Sequence, residues 1–116
     1  VVLRAEFCLT PGDPAAIRGR MKELLEKRRA SQPLEFPSAG STFKRPERYY
    51  AGTLIDQCGL KGLTVGGAQV SEKHAGFVIN RGGATCADVK ELIRQIQERV
   101  FAQAGVRLEP EVRIID

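Results

Sequence analysis

A serine that directly follows a glycine and precedes a run of cations is the first feature that could do chemistry. Ser41 follows Gly40, and Lys44, Arg45 and Arg48 come soon after. Glycine allows a ligand to approach the backbone closely, and the cations could hold a phosphate or a carboxylate. An ordinary solvated turn with basic side chains lying along the surface explains the same spacing, and from spacing alone it is the simpler explanation. The sequence has neither a GxSxG elbow nor a P-loop.

Two further groups of titratable residues stand apart from this serine. His74, the only histidine, lies in a polar connection, where surface or capping histidines are commoner than bases or ligands. Glu109 and Glu111 flank Pro110 near the end of the sequence. Because successive strand residues point to opposite faces, we expect at most one of the two carboxylates to face a given cleft. Taken alone, the pair is better explained as an exposed strand edge protected by charge and proline.

Composition limits the classes of protein to which the chain can belong. Hydrophobic residues make up 42% and charged residues 28%, a globular balance, and no apolar run reaches the roughly 18 residues of a membrane span. Three cysteines, Cys8, Cys58 and Cys86, are widely spaced, with no CxxC or Cys/His cluster. We therefore expect neither a metal site nor a disulfide framework, and reduced thiols are typical of a cytoplasmic protein.

The positive charge is unevenly distributed. Residues 1–48 carry ten Lys and Arg against six Asp and Glu, whereas residues 49–116 carry eight of each, so the first segment holds the whole net charge of +4. A positive field around Ser41 favours an anionic ligand. One alternative is a stand-alone basic module that binds RNA or another polyanion through residues 22–29 and 44–48, although a pI near 9.2 with few aromatics is a weak signal for this.

The first half of the chain predicts a strand, a long helix, a loop and a short helix. Residues 1–9 alternate apolar and polar, as a half-buried strand does. Asp13 before a proline predicts a helix over 14–30, followed by a long structured loop over 31–48 and a short helix over 49–58. The apolar stripe of the long helix is expected in the core: Ile17, Met21, Leu24 and Leu25.

The second half predicts mostly strands and one more long helix. Extended segments are expected over 63–70 and 77–80, and a helix over 86–104 begins at a Thr85–Asp88 capping arrangement. A final extended stretch over 106–115 is interrupted by Pro110. The fold class predicted is α+β, with a small mixed or antiparallel sheet packed with two long helices and one short helix.

Four segments in series resemble the C-terminal region of the UDP-N-acetylenolpyruvoylglucosamine reductase (MurB) family, in its shorter subtype. They are PSAGSTFKRPE (37–47), AGTLIDQCGLKG (51–62), VGGAQVSEKHAGFVIN (65–80) and LEPEVRII (108–115). The resemblance implies that residues 1–9 are a strand leaving an absent FAD-binding portion and that residues 10–116 are the substrate-binding domain. A start without Met also indicates a fragment, expected to hold no FAD and to be inactive alone.

The resemblance also implies an activity and two catalytic residues. In this family NADPH reduces FAD, and the flavin passes hydride to C3 of UDP-N-acetylglucosamine enolpyruvate, giving UDP-N-acetylmuramate for bacterial peptidoglycan in the cytoplasm. Ser41 matches the serine that protonates C2 of the intermediate. Glu111 matches the glutamate that helps manage charge at its carboxylate. The blander alternative is a structural domain that only covers the active site of a partner.

Four further positions are candidate substrate contacts. Gly40 and Lys44 lie in the serine motif, Arg45 stands where other members have asparagine, and His74 stands where others have glutamine. A cation at Arg45 still suits a diphosphate. The partners implied are the UDP-sugar substrate and the FAD-binding portion of the same protein, with no nucleic acid and no membrane.

Overall fold

The computed structural model describes residues 1–115 and divides into two compact units, residues 1–30 and 31–116. In the first unit, residues 1–13 have no regular secondary structure and are followed by helix α1 (Pro14–Ser31). The Asp13 carboxylate accepts the Ala16 N–H at 3.0 Å. This bond confirms the predicted helix start, since an aspartate before the first turn satisfies an otherwise unpaired amide.

Two predictions for the first unit are wrong. Residues 1–9 form no strand, and they are exposed throughout. A strand needs a neighbouring strand for its amides and carbonyls, and residues 1–115 supply none to this segment. Helix α1 has no buried residue, and the four apolar side chains expected in the core are 43–65% exposed. Their spacing marks an apolar face of the helix, but spacing does not say what covers that face.

The second unit contains a four-stranded antiparallel sheet in the order β1-β4-β3-β2. The strands are β1 (Ser38–Ser41), β2 (Thr64–Val65), β3 (Ala68–Val70) and β4 (Phe77–Asn80). The extended segments predicted over 63–70 and 77–80 are confirmed, the first as a hairpin that turns at Gly66 and Gly67. The long loop predicted over 31–48 is partly wrong, because it contains β1.

The two helices of the second unit, α2 (Ala51–Gln57) and α3 (Cys86–Ala104), confirm the predictions for 49–58 and 86–104. Helix α3 lies against β2 and β3 of this sheet, and α2 lies against α3. Thr85 and Asp88 form a complete capping box at the start of α3, with bonds of 3.1 Å and 2.9 Å. The buried hydrophobic residues of the described chain all lie between Phe43 and Leu108. The α+β class is confirmed, with a purely antiparallel sheet.

The segment after α3 forms a single bridge rather than the extended stretch predicted over 106–115. Phe43 pairs with Pro110 in an isolated antiparallel bridge. The Lys44 N–H donates to the Glu109 carbonyl and the Glu111 N–H donates to the Thr42 carbonyl, each at 2.8 Å. Pro110 has no N–H to donate, so the pairing does not grow into a regular ladder here.

An extra residue interrupts the pairing between β1 and β4. Ser38 pairs with Ile79 and Ser41 pairs with Phe77, so the two pairs are three residues apart along β1 and two residues apart along β4. Gly40 has φ of 81° within this irregularity, a left-handed conformation that favours glycine. This β-bulge sets the direction of the side chains that follow it.

No helix within residues 1–115 is long and apolar enough to span a bilayer.

Candidate functional site

A cavity of about 470 Å³ lies in the second unit beside the end of β1. Three of the predicted site residues line it together: Ser41, Arg45 and His74. They are brought from separate parts of the sequence by the bulge on β1 and by the connection between β3 and β4. The cavity is therefore the candidate site for an anionic ligand.

Alternation along the chain after the bulge explains which residues reach this cavity. Ser41, Phe43 and Arg45 all line it, while Thr42 and Lys44 between them do not. Successive side chains of extended backbone point to opposite faces, so every second residue faces the same way. Thr42 is buried on the other side, where its hydroxyl accepts the Val78 N–H at 3.0 Å.

Ser41 offers its hydroxyl to the cavity with only a weak internal contact. Its Oγ donates to the Phe43 carbonyl at 3.4 Å, at the long limit for a hydrogen bond between oxygen atoms. The side chain is exposed within the described chain. The hydroxyl is thus accessible to a ligand, and only this weak hydrogen bond has to break before it can contact one.

His74 is held much more firmly than Ser41. The Gly76 N–H donates to Nδ1 of the imidazole at 3.1 Å, and the ring lies edge-on to the Phe77 ring at 4.9 Å between centroids. Because Nδ1 accepts a hydrogen bond, the neutral ring carries its proton on Nε2. His74 can therefore donate a hydrogen bond to a ligand in the cavity.

The cations at the cavity come from three different segments. The Arg45 guanidinium lies 4.0 Å above the centre of the Tyr50 ring, a cation–π contact that holds its position. Lys61 pairs with Asp56 at 3.0 Å, and Lys73, which also lines the cavity, pairs with Glu35 at 3.4 Å. With three cations and one carboxylate among its lining residues, the cavity favours an anionic ligand, although two of the cations are ion-paired.

Sequence reasoning missed Tyr50, Lys61 and Lys73 as residues of this site. The two lysines fall within the quoted motifs, but nothing in their spacing distinguishes them from solvated surface lysines. Only the fold brings α2 and the β3–β4 connection to the same side of β1. A cation two residues after a helix-ending glycine, as Lys61 is, carries no functional signal by itself.

Lys44 and Glu111 lie outside this cavity. The Lys44 ammonium pairs with the Glu109 carboxylate, and hydrogen bonding to Glu109 raises the pKa of Lys44, with a further contribution from the charge of Glu111. Both carboxylates thus act on one ammonium. Neither carboxylate lines the cavity, so the expectation that at most one of them would face a given cleft stays a prediction, although residues two apart in extended backbone share a face.

The predicted site residues therefore fall into two neighbouring groups. One group lines the cavity with a hydroxyl, an imidazole N–H and cations; the other is an ion cluster of Lys44, Glu109 and Glu111. Gly40 lies at the bulge within β1, directly before Ser41. Within residues 1–115, no three His, Cys, Asp or Glu side chains are placed to hold a metal ion.

Comparison with known proteins relates the second unit to one family. A family model described as "UDP-N-acetylenolpyruvoylglucosamine reductase, C-terminal domain" matches residues 32–115. UDP-N-acetylenolpyruvoylglucosamine reductases from Agathobacter rectalis and Clostridium botulinum are 59% and 56% identical to the chain over 115 residues, which is 99% of it. The chain spans only 37% and 38% of the length of these relatives.

A solved structure shows the same relationship in three dimensions. The crystal structure of UDP-N-acetylenolpyruvylglucosamine reductase from Thermus caldophilus is 43% identical and superposes with a TM-score of 0.68. The match covers 86% of this chain and 35% of that one.

Proposed function

The chain belongs to the UDP-N-acetylenolpyruvoylglucosamine reductase family, in its C-terminal domain, and we propose that it is the substrate-binding part of such a reductase. In this proposal the enolpyruvyl ether of UDP-N-acetylglucosamine binds in the cavity beside β1. Ser41 supplies the proton that completes its reduction to UDP-N-acetylmuramate, a precursor of bacterial peptidoglycan. The reaction takes place in the cytoplasm, which suits three free cysteines.

The observation that carries this proposal is the meeting of Ser41, Arg45 and His74 at one cationic cavity. A UDP-sugar with an enolpyruvyl group carries a diphosphate and a carboxylate, so it needs cations and hydrogen-bond donors together. Arg45, together with the ion-paired Lys61 and Lys73, supplies positive charge, and His74 Nε2 supplies a further hydrogen-bond donor. A volume of about 470 Å³ is within the range of small-molecule sites.

Ser41 can donate a proton when the reacting carbon is held against its hydroxyl. A serine hydroxyl is a very weak acid, but an enolate-like carbon is a strong base, and fixed contact replaces a rare encounter. The exposed Oγ of Ser41 is restrained only by the long bond to the Phe43 carbonyl. Neighbouring cations would stabilise the alkoxide left after transfer.

Glu111 has a different position in the proposal. Its backbone N–H is bonded to the carbonyl of Thr42, the residue next to Ser41, so its backbone is fixed close to the proton donor. Its side chain acts with that of Glu109 on Lys44. We assign to Glu111 the balancing of charge at the substrate carboxylate. Lys44 offsets the negative charge of Glu109 and Glu111.

The cations of the cavity are assigned to the UDP-sugar, and the apolar groove that Thr42 lines does not fit the diphosphate of the flavin that the family implies. This groove, about 350 Å³, is lined by residues such as Ala39, Val78 and Val112, and no charged residue lines it. A dinucleotide needs cations or helix amides for its diphosphate. FAD and NADPH are therefore assigned to a portion of the protein outside this chain, and no step through them is assigned to these residues.

The alternative of an RNA-binding module receives no specific support. On α1, Arg20 and Lys27 both pair with Glu23, at 2.8 Å and 2.7 Å. Lys22 stands 4.0 Å from Glu26, one helical turn further along. These contacts along the helix offset much of the positive field that the alternative requires.

Calorimetric titration with uridine diphosphate tests the proposed function. We expect saturable binding that requires both the uridine and the diphosphate, and about tenfold weaker binding for Arg45→Ala. Arg107→Ala is the matched control, since Arg107 also lies over an aromatic ring, 4.4 Å from the centre of Phe101, but does not line the cavity. Binding of any RNA with steep salt dependence, and none of uridine diphosphate, would favour the alternative.

A further inference from the structure

The imidazole of His74 packs against two glycines that lie next to each other, Gly52 and Gly76. A Cβ atom on Gly52 would stand 3.2 Å from Cε1 of the ring, and a Cβ atom on Gly76 would stand 3.0 Å from Cε1 and 3.2 Å from Nδ1. The Phe77 ring approaches the same imidazole edge-on. Helix α2, the β3–β4 connection and the start of β4 therefore all approach the imidazole.

Neither glycine is required by its backbone conformation. Gly52 and Gly76 are absent from the glycines with positive φ in the described chain. Gly52 is also the second residue of α2, where alanine is the better helix former by about 1 kcal/mol. What these positions need is the absence of a side chain, because the imidazole lies where either Cβ atom would stand. The two glycine backbones also approach each other, since a Cβ atom on Gly52 would stand 3.3 Å from the Gly76 nitrogen.

The confinement also fixes the chemical character of the ring. Nδ1 accepts the Gly76 N–H, and no other partner for the ring nitrogens is present among residues 1–115. Within the same residues, no partnerless side-chain nitrogen or oxygen is buried, so Nε2 is accessible on a ring that lines the cavity. In its neutral form the imidazole can then only donate to a ligand.

We propose that Gly52 and Gly76 are positioning residues, which by lacking Cβ atoms hold His74 as a fixed Nε2–H donor to an oxygen acceptor of the bound UDP-sugar. The second part of this inference rests on the proposed function, because the ligand is the one assigned above. The first part, the single ring orientation and tautomer, is independent of any ligand. Because the ring is already held in one orientation, ligand binding loses little of its conformational entropy.

The ring itself is observed by long-range proton–nitrogen NMR on the full-length protein, with the His74 signals assigned by their loss in His74→Gln. We expect Nδ1 to be of the unprotonated type and Nε2 of the protonated type at neutral pH. Gly52→Ala should shift both signals toward those of a solvated histidine. Gly19→Ala is the matched control. Gly19 is also a helical glycine, but a Cβ atom on it would meet no neighbouring side chain or other element within 4 Å.

Substrate binding is then measured as a double-mutant cycle with the same protein. We expect Gly52→Ala to raise the Kd for uridine diphosphate, or the KM for the complete substrate, about tenfold, with a smaller change in kcat. In a His74→Gln background the same glycine change should weaken binding by a clearly smaller factor. The part of the effect that acts through the imidazole is then absent, and only the contact of the new Cβ atom with the Gly76 backbone remains.

Each outcome bears on the inference. Equal effects of Gly52→Ala in both backgrounds, or His74 signals that match those of solvated histidine in the unmutated protein, would overturn it. Where Gly52→Ala fails to fold, Gly76→Ala replaces it in the same cycle. Absence of any uridine diphosphate binding with the expected His74 signals would refute the proposed function and the donor role, and leave the positioning of the ring established.

Discussion

At the scale of single residues, the cavity separates side chains that the sequence presents as one cluster. Ser41, Lys44 and Arg45 are neighbours in the chain, yet only Ser41 and Arg45 reach the cavity, because the residue between two cavity residues faces the other way. Residue types and motifs were enough to select Ser41, Arg45 and His74. They were not enough to select Lys61 and Lys73, since lysines carry no signal until the fold brings them together.

Replacing Ser41 tests the assignment of the proton donor. In Ser41→Ala we expect turnover of the full-length reductase to fall at least about a thousandfold with the Kd for substrate changed less than about threefold, since the hydroxyl acts after binding. Steady-state kinetics and calorimetry measure the two quantities.

Ser38→Ala is the control, because Ser38 stands at the other end of β1 and does not line the cavity. Its hydroxyl oxygen accepts the Gly40 N–H at 3.3 Å. The control therefore also removes a serine hydroxyl of β1 that makes one long hydrogen bond. Turnover of Ser41→Ala close to that of the unmutated protein would remove Ser41 from the mechanism.

At the scale of elements, the sequence predicted best those segments whose signals are local. Helix α3 begins at its predicted capping box and ends at Gly105, which has φ of 68°. Strand β1 was missed because its pairing with β4 lies across 36 or more residues and its own sequence, SAGS, has no strand preference. The predicted strand over 1–9 failed for the converse reason, since its alternation is good but no partner strand exists in the described chain.

The capping box of α3 gives the protein an acid-sensitive contribution to its stability. Hydrogen bonds from the Thr85 backbone and side chain lower the pKa of the Asp88 carboxyl below 3.8. A depressed folded-state pKa stabilises the protein fully above the unfolded pKa and loses that effect as pH falls through the folded one. Urea unfolding should show Asp88→Asn to be less stable at pH 7, with the difference vanishing well below pH 3.8. A difference that persisted unchanged at lower pH would mean that Asp88 acts through its shape alone.

The turn of the β2–β3 hairpin depends on a close backbone approach at Gly67. A Cβ atom there would stand 2.3 Å from the Gly82 carbonyl oxygen and 2.5 Å from the Ala84 nitrogen, both of them backbone atoms that cannot swing aside. Gly67→Ala should lower the free energy of unfolding by more than about 3 kcal/mol. Gly83→Ala, with φ of +66° but open space, should cost only about 1–2 kcal/mol. Urea midpoints compare the two, and equal losses would contradict the steric argument.

At the scale of the whole molecule, charge counted along the sequence did not locate the charged site. Residues 49–116 are neutral by count, yet they supply Lys61 and Lys73 to the cavity. The basic excess of residues 1–48 includes Arg20 and Lys27 of α1, which are paired with Glu23. Folding, rather than composition, concentrates the positive charge where an anionic ligand would bind.

The division into two units predicts that the second retains the ligand site without the first. All residues lining the cavity lie between Ser41 and Gly76, and the buried hydrophobic residues of the described chain lie between Phe43 and Leu108. Deletion of residues 1–30 should therefore leave cooperative unfolding and change the Kd for uridine diphosphate by less than about threefold. Circular dichroism and calorimetry provide the two measurements. Loss of either property would show that residues 1–30 are needed to form the site.

The extra residue in β1 makes the site tolerant of a kind of change that usually destroys one. Loss of one residue from a regular strand turns every later side chain to the opposite face. Here the loss of Ala39 would convert the bulge into regular pairing, with Ser41 still opposite Phe77 and Phe43 and Arg45 still on the cavity side. A one-residue insertion at the same place cannot be absorbed in this way, because β1 already carries an extra residue there. A one-residue deletion before Ser41 is therefore expected to leave the same chemical groups at the cavity.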